Sequence, residues 1–81
     1  MQIKINDTIT DERGRTGKII NIGIATDKND IAGENGVDAK EYDTDLNYTG
    51  AITFGDNWCY FYQIKKVNDK EINIDLTDWI G

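Results

Sequence analysis

The chain contains no histidine and a single cysteine, Cys59. A Ser–His or Cys–His nucleophile therefore cannot be assembled, and a four-ligand structural zinc site lacks its donors. Cys59 stands within Trp58-Cys59-Tyr60-Phe61-Tyr62, a setting that predicts a buried, inert thiol. Carboxylates are plentiful, and Asp43-Thr44-Asp45 sets two of them close together. An acid and base pair of the glycosidase kind would also need a cleft with tuned surroundings, for which 81 residues leave little room. Asp27, Asn29 and Asp30, or Asp43, Asp45 and Asn47, offer oxygen ligands for a cation. Neither run follows the calcium loop: counted from Asp43, the sixth position is Tyr48 where glycine is needed and the twelfth is Phe54 where glutamate is needed. Arg13-Gly14-Arg15-Thr16-Gly17-Lys18 is basic and glycine-rich, but it lacks the phosphate-loop order and precedes a strand pattern. The expectation is a protein that is no enzyme, with no cofactor and no metal site.

Binding chemistry is better represented. Trp58, Tyr60 and Tyr62 alternate, so on a strand they share one face. Exposed, they would stack bases or anchor a protein partner. Large side chains are scarce in so short a chain, however, and at least two of the three are expected in the core. Arg13, Arg15, Lys18, Lys65 and Lys66 carry the cations that would meet phosphate or a carboxylate face. Acids outnumber bases fifteen to nine, for a net charge of −6. The excess is concentrated: residues 27–45 hold seven acids against two lysines, and residues 69–81 hold four against one. Such a balance disfavours long-range attraction to nucleic acid and favours a basic protein surface.

The elements that must position these residues read as short strands. Length permits one hydrophobic core, hence a single domain over 1–81, and no disulfide is available to support it. Ile3-Lys4-Ile5 and Thr8-Ile9-Thr10 alternate, Asp11 to Gly17 is a polar turn, and Lys18 to Ala25 is the clearest strand. In that strand Ile20, Ile22 and Ile24 are expected to face the core. Residues 26–50 break the rhythm and are expected to form an irregular acidic segment that contains a ragged strand or a short helix, with a helical turn possible around Val37 to Leu46. Ala51 to Phe54 and Trp58 to Tyr62 form a hairpin around Gly55-Asp56-Asn57. Ile64 and Val67 are spaced as in one tight helical turn, and Glu71 to Leu76 alternates as a strand within a C-terminal extension, 69–81. Met1 to Asp7 turns polar at once and no apolar run is long enough to span a bilayer, so the location is expected to be cytoplasmic.

Ile5-Asn6-Asp7-Thr8-Ile9, then Arg13-Gly14-Arg15-Thr16-Gly17-Lys18-Ile19-Ile20-Asn21-Ile22, resembles the opening of SH3-like barrels of the KOW-motif type. Ile52-Thr53-Phe54-Gly55-Asp56-Asn57-Trp58 with Phe61, followed by Ile64-Lys65-Lys66-Val67, is similar to their later hairpin and closing turn. The resemblance implies a mainly β, SH3-like barrel of five or six short antiparallel strands with a long acidic insertion loop. It also implies a binding module, as in small phage and bacterial adaptor proteins.

Two functions are expected from these features. The first is a protein-binding module or inhibitor whose Asp38, Glu41, Tyr42, Asp43, Asp45 and Tyr48 dock on a basic partner, such as a nucleic-acid-processing enzyme. A nucleic-acid-mimicking phage anti-defence protein of the anti-CRISPR kind is one form of it. The alternative is an RNA- or DNA-binding domain using Arg13, Arg15, Lys18, Trp58, Tyr60, Lys65 and Lys66. A homodimer through the strand edges 18–25 and 71–76 is a further expectation.

Overall fold

A computed structural model describes residues 1–27, 29–30, 33–46 and 49–74. Among the described residues, nine strands follow one another: β1 (Gln2–Lys4), β2 (Thr8–Asp11), β3 (Thr16–Ile24), β4 (Val37–Ala39), β5 (Glu41–Asp43), β6 (Gly50–Phe54), β7 (Asn57–Tyr60), β8 (Ile64–Val67) and β9 (Lys70–Glu71). Short 3-10 turns occupy Thr44–Leu46 and Phe61–Gln63. Buried and less buried residues alternate through β2 and β6, which suits a pleated surface buried on one side.

β3 organises the molecule because it is long enough to serve three neighbours. β6 pairs along one edge, from Ile19↔Phe54 to Ile24↔Gly50. The other edge is shared, first by β2 (Thr8↔Lys18 to Thr10↔Thr16) and then by β4 (Ile22↔Ala39 to Ile24↔Val37). The large sheet runs β7-β6-β3-β2-β8-β9 with β4 beside β3, and β1 and β5 form a separate antiparallel pair. Backbone bonds from Ile5 N to Lys40 O (3.0 Å) and from Asn6 N to Ile19 O (3.0 Å) hold the two sheets together.

The two sheets are open, which corrects the expectation of an SH3-like, KOW-type barrel. Closure would require the free edge of β7 to pair with another strand's backbone. Side chains take those groups instead: Arg15 Nη2 donates to Trp58 O (3.1 Å), and Tyr60 N donates to Gln63 Oε1 (2.9 Å). The 3-10 turn at Phe61–Gln63 then redirects the chain before β8 begins.

Other expectations change with the register. Residues 26–50 are not one insertion loop, since β4, β5 and a 3-10 turn lie within them; of the span Val37 to Leu46 only Thr44–Leu46 is helical, and Val37–Ala39 and Glu41–Asp43 are strands. The expected helical turn at Ile64 and Val67 falls one step earlier, at Phe61–Gln63. A bulge between Ile19 and Asn21 shifts the pattern of β3. Ile19 and Ile22 therefore enter the core, while Ile20 stands 60% exposed and Ile24 is only half-buried. Among the described residues of the extension, Lys70–Glu71 alone pairs as strand and Ile74 is buried; residues 75–81 lie outside the described residues.

The core joins Ile3, Ile9, Ile22, Ile52, Phe54 and Phe61 with Tyr42, whose ring stacks on Phe61 at 4.2 Å. Fully burying each such side chain contributes about 1.5–3 kcal/mol. Gly50 leaves no room for a side chain. A Cβ there would collide with Gly23 O and come within 2.7 Å of Phe61 Cζ.

Candidate functional site

The outer face of β4, β3, β6 and β7 carries two cross-strand rows: Asn21, Thr53 and Trp58, then Asp38, Gly23, Ala51 and Tyr60. Cys59 takes the opposite face, paired with Ile52, and is buried. Its thiol is pushed up to about 12 by burial, with the Asp11 charge adding to the effect. The aromatic stripe is thus the outward side of the hairpin, and the expectation that at least two of its members are buried is overturned. Trp58 is 53% exposed, and Tyr60 and Tyr62 are half-buried. Trp58 meets Tyr60 edge-on at 5.2 Å, and Tyr60 stacks on Tyr62 at 5.5 Å. Each ring braces the next.

One side of Trp58 carries two arginines. Arg13, Arg15, Trp58, Tyr60 and Gln63 line a recess of about 170 Å³. Its frame is Asp11, only 3% exposed, which accepts from Arg13 N (3.0 Å), Arg15 N (2.9 Å) and Arg15 Nε (2.8 Å) and pairs with Arg15 Nη2 at 2.7 Å. Burial alone would raise the Asp11 carboxyl, but the Arg15 and Arg13 hydrogen bonds and the Arg15 charge outweigh it and hold the group below its ordinary value of 3.8. Arg15 is therefore committed to structure, while Arg13 is exposed with no ion pair among the described residues. Gln63 completes the frame, with Nε2 donating to Glu12 Oε1 (2.8 Å) and its carbonyl accepting from Glu12 N (2.8 Å).

The other side of Trp58 opens on a groove of about 310 Å³ lined by Asn21, Gly23, Glu34, Asp38, Ala51 and Thr53, with Gly33 at its end. Gly33 has φ +69°, and a Cβ there would sit 2.9 Å from Gly23 O. Glycine thus lets the turn at 33–36 lie against β3, which brings Glu34 over the sheet. Asp30 holds that turn by accepting from Glu34 N (3.0 Å) and Asn35 N (2.8 Å).

The candidate residues separate accordingly. Arg13, Arg15, Trp58 and Tyr60 come together around one recess. Lys18 and Lys66 share the outward face of β3, β2 and β8 with Thr8, Thr10 and Thr16, and Lys65 is exposed nearby. The acidic set gathers only in part. Tyr42 is buried, with its hydroxyl raised to about 12 by burial and by Asp43. Asp43 and Asp45 flank the Met1 amino group at 3.7 and 3.6 Å, Glu41 lies on the separate β1–β5 pair, and Asp38 lines the groove. Tyr48 lies outside the described residues. Sequence reasoning missed Asn21, Glu34 and Gln63; only the glycines flanking Glu34-Asn35 marked a turn there.

Among the described residues, no cluster of three or more histidine, cysteine or acidic side chains could hold a metal, and no helix is long and apolar enough to cross a membrane. No family model, no curated protein and no solved structure matches the chain.

Proposed function

We propose that this chain binds single-stranded nucleic acid on the outer face of the β6–β7 hairpin. Bases stack on Trp58 and Tyr60, Arg13 meets the phosphate, and Arg15 orients the hairpin edge. The observation that carries the reading is a half-exposed tryptophan, braced by a second ring, next to an arginine-lined recess. Stacking is sequence-tolerant and contributes about 1–3 kcal/mol per base, which lets binding proceed despite a net charge of −6. With one or two phosphate contacts, log K should fall with log salt at a slope of about −0.7 to −1.4.

Anisotropy titration of labelled 12-nucleotide DNA and RNA at low salt tests this. Trp58→Ala should weaken binding about 5- to 100-fold. No binding by the wild type, or an unchanged affinity in the variant, sinks the proposal.

A second reading, docking on a basic protein surface, is favoured by the carboxylates of Asp38 and Glu34 lying across the groove from Trp58. It predicts that neutralising both releases a protein partner while leaving oligonucleotide binding untouched.

A further inference from the structure

Resting on the nucleic-acid reading, we infer that the groove beside Trp58 selects bases bearing an exocyclic amino group, cytosine and adenine above all, over thymine and uracil. Trp58 lines both the arginine recess and the groove, so a nucleotide stacked on it has two unlike surroundings. The phosphate is drawn toward Arg13 and repelled by Asp38 and Glu34, which fixes which way the strand lies across the ring. The base edge then points into the groove. Its floor is Gly23 and Ala51, small enough to admit a planar ring, and its volume of about 310 Å³ is at the lower end for a small-molecule site.

The far wall supplies the selectivity. Neither Asp38 nor Glu34 has a side-chain hydrogen-bond or ion-pair partner among the described residues. Ionised carboxylates only accept hydrogen bonds. Cytosine N4 and adenine N6 present N–H donors that they can take, whereas O4 of thymine or uracil presents lone pairs against lone pairs. Asn21, which can donate as well as accept, stands in the same row as Trp58 and can answer the adjacent ring nitrogen.

The test is a titration of labelled dC12 and dT12 at pH 7.5 and one salt concentration, with the wild type and the Asp38→Asn, Glu34→Gln double variant. Both positions are exposed, so the variant should fold; circular dichroism verifies that. The wild type should bind dC12 about 5- to 10-fold more tightly than dT12, in line with one amino–carboxylate contact. The double variant should bring dC12 to within about twofold of dT12, with dT12 affinity unchanged or slightly improved. Equal wild-type affinities would overturn the inference while leaving stacking intact, as would a gain in dC12 affinity on neutralisation. Failure of both oligonucleotides to bind would overturn the nucleic-acid reading itself. An arginine-rich peptide that binds the wild type and not the double variant, when neither oligonucleotide binds, would assign the groove to a basic protein.

Discussion

Replacing Arg15 by methionine keeps the aliphatic stem and removes the guanidinium. Asp11 then loses its bonds to Nε (2.8 Å) and Nη2 (2.7 Å) and keeps only the backbone donors of Arg13 and Arg15. Breaking a fully buried ion pair costs about 3–5 kcal/mol. The Arg15 side chain is 34% exposed, so solvent already screens the pair, and a cost of about 2–3 kcal/mol is expected. For a domain of this size that corresponds to a fall in Tm of about 10–20 °C. The penalty should depend on pH. In the wild type the Asp11 carboxyl is held below 3.8, so its stabilisation is complete above that value and is lost as pH falls through the lower folded value. Without the guanidinium, only the backbone donors of Arg13 and Arg15 still lower the carboxyl, against burial that raises it. Urea unfolding of both proteins at pH 7 and near pH 3.5 should therefore show the difference shrinking with acid. A penalty of equal size at both pH values would mean that Arg15 acts through its packing over the Phe54 ring, 5.9 Å away, and would refute the electrostatic account.

Other outcomes follow from the same geometry. Gly50→Ala should cost about 3 kcal/mol or more by urea unfolding, because the added methyl meets Gly23 O and the Phe61 ring. Asp69→Gly should stabilise by about 0.5–1 kcal/mol, since Asp69 sits at φ 68° in the β8–β9 turn, a conformation glycine adopts freely. Raising the pH should destabilise the fold from about 10 toward about 12: the buried Tyr42 keeps its proton up to about 12, and its stabilisation, complete below 10, is lost across that interval. The Cys59 thiol, buried and raised to about 12, should resist a thiol reagent at pH 8 in the folded protein and react at once in urea.

How far the sequence reveals this molecule depends on how local each cause is. The β6–β7 hairpin is readable because Gly55-Asp56 and the flanking alternation are adjacent along the chain. The bulge at Ile19–Asn21 is not, since a run of isoleucines reads equally well in either register until Phe54 fixes it. Openness of the sheets was hidden for a similar reason. It depends on Arg15 reaching Trp58 O across 43 positions, a contact that leaves no local pattern, as well as on Gln63 turning back to Tyr60 N. Tyr42 looked like a member of an acidic surface, yet Glu41-Tyr42-Asp43 is a strand of three residues whose middle side chain enters the core. The candidate site was half visible: the aromatic alternation and the Arg13–Arg15 pair could be named, while the groove wall required Glu34 and Asp38 to be brought across β3.

Backbone amide shifts during titration with dC12 would test the binding face most directly. Changes should concentrate at Arg13, Thr53, Trp58, Cys59 and Tyr60 and at the Trp58 indole N–H, leaving Glu41 to Asp45 unmoved. Shifts gathered at Glu41 to Asp45, or none at saturating oligonucleotide, would contradict the assignment of this face.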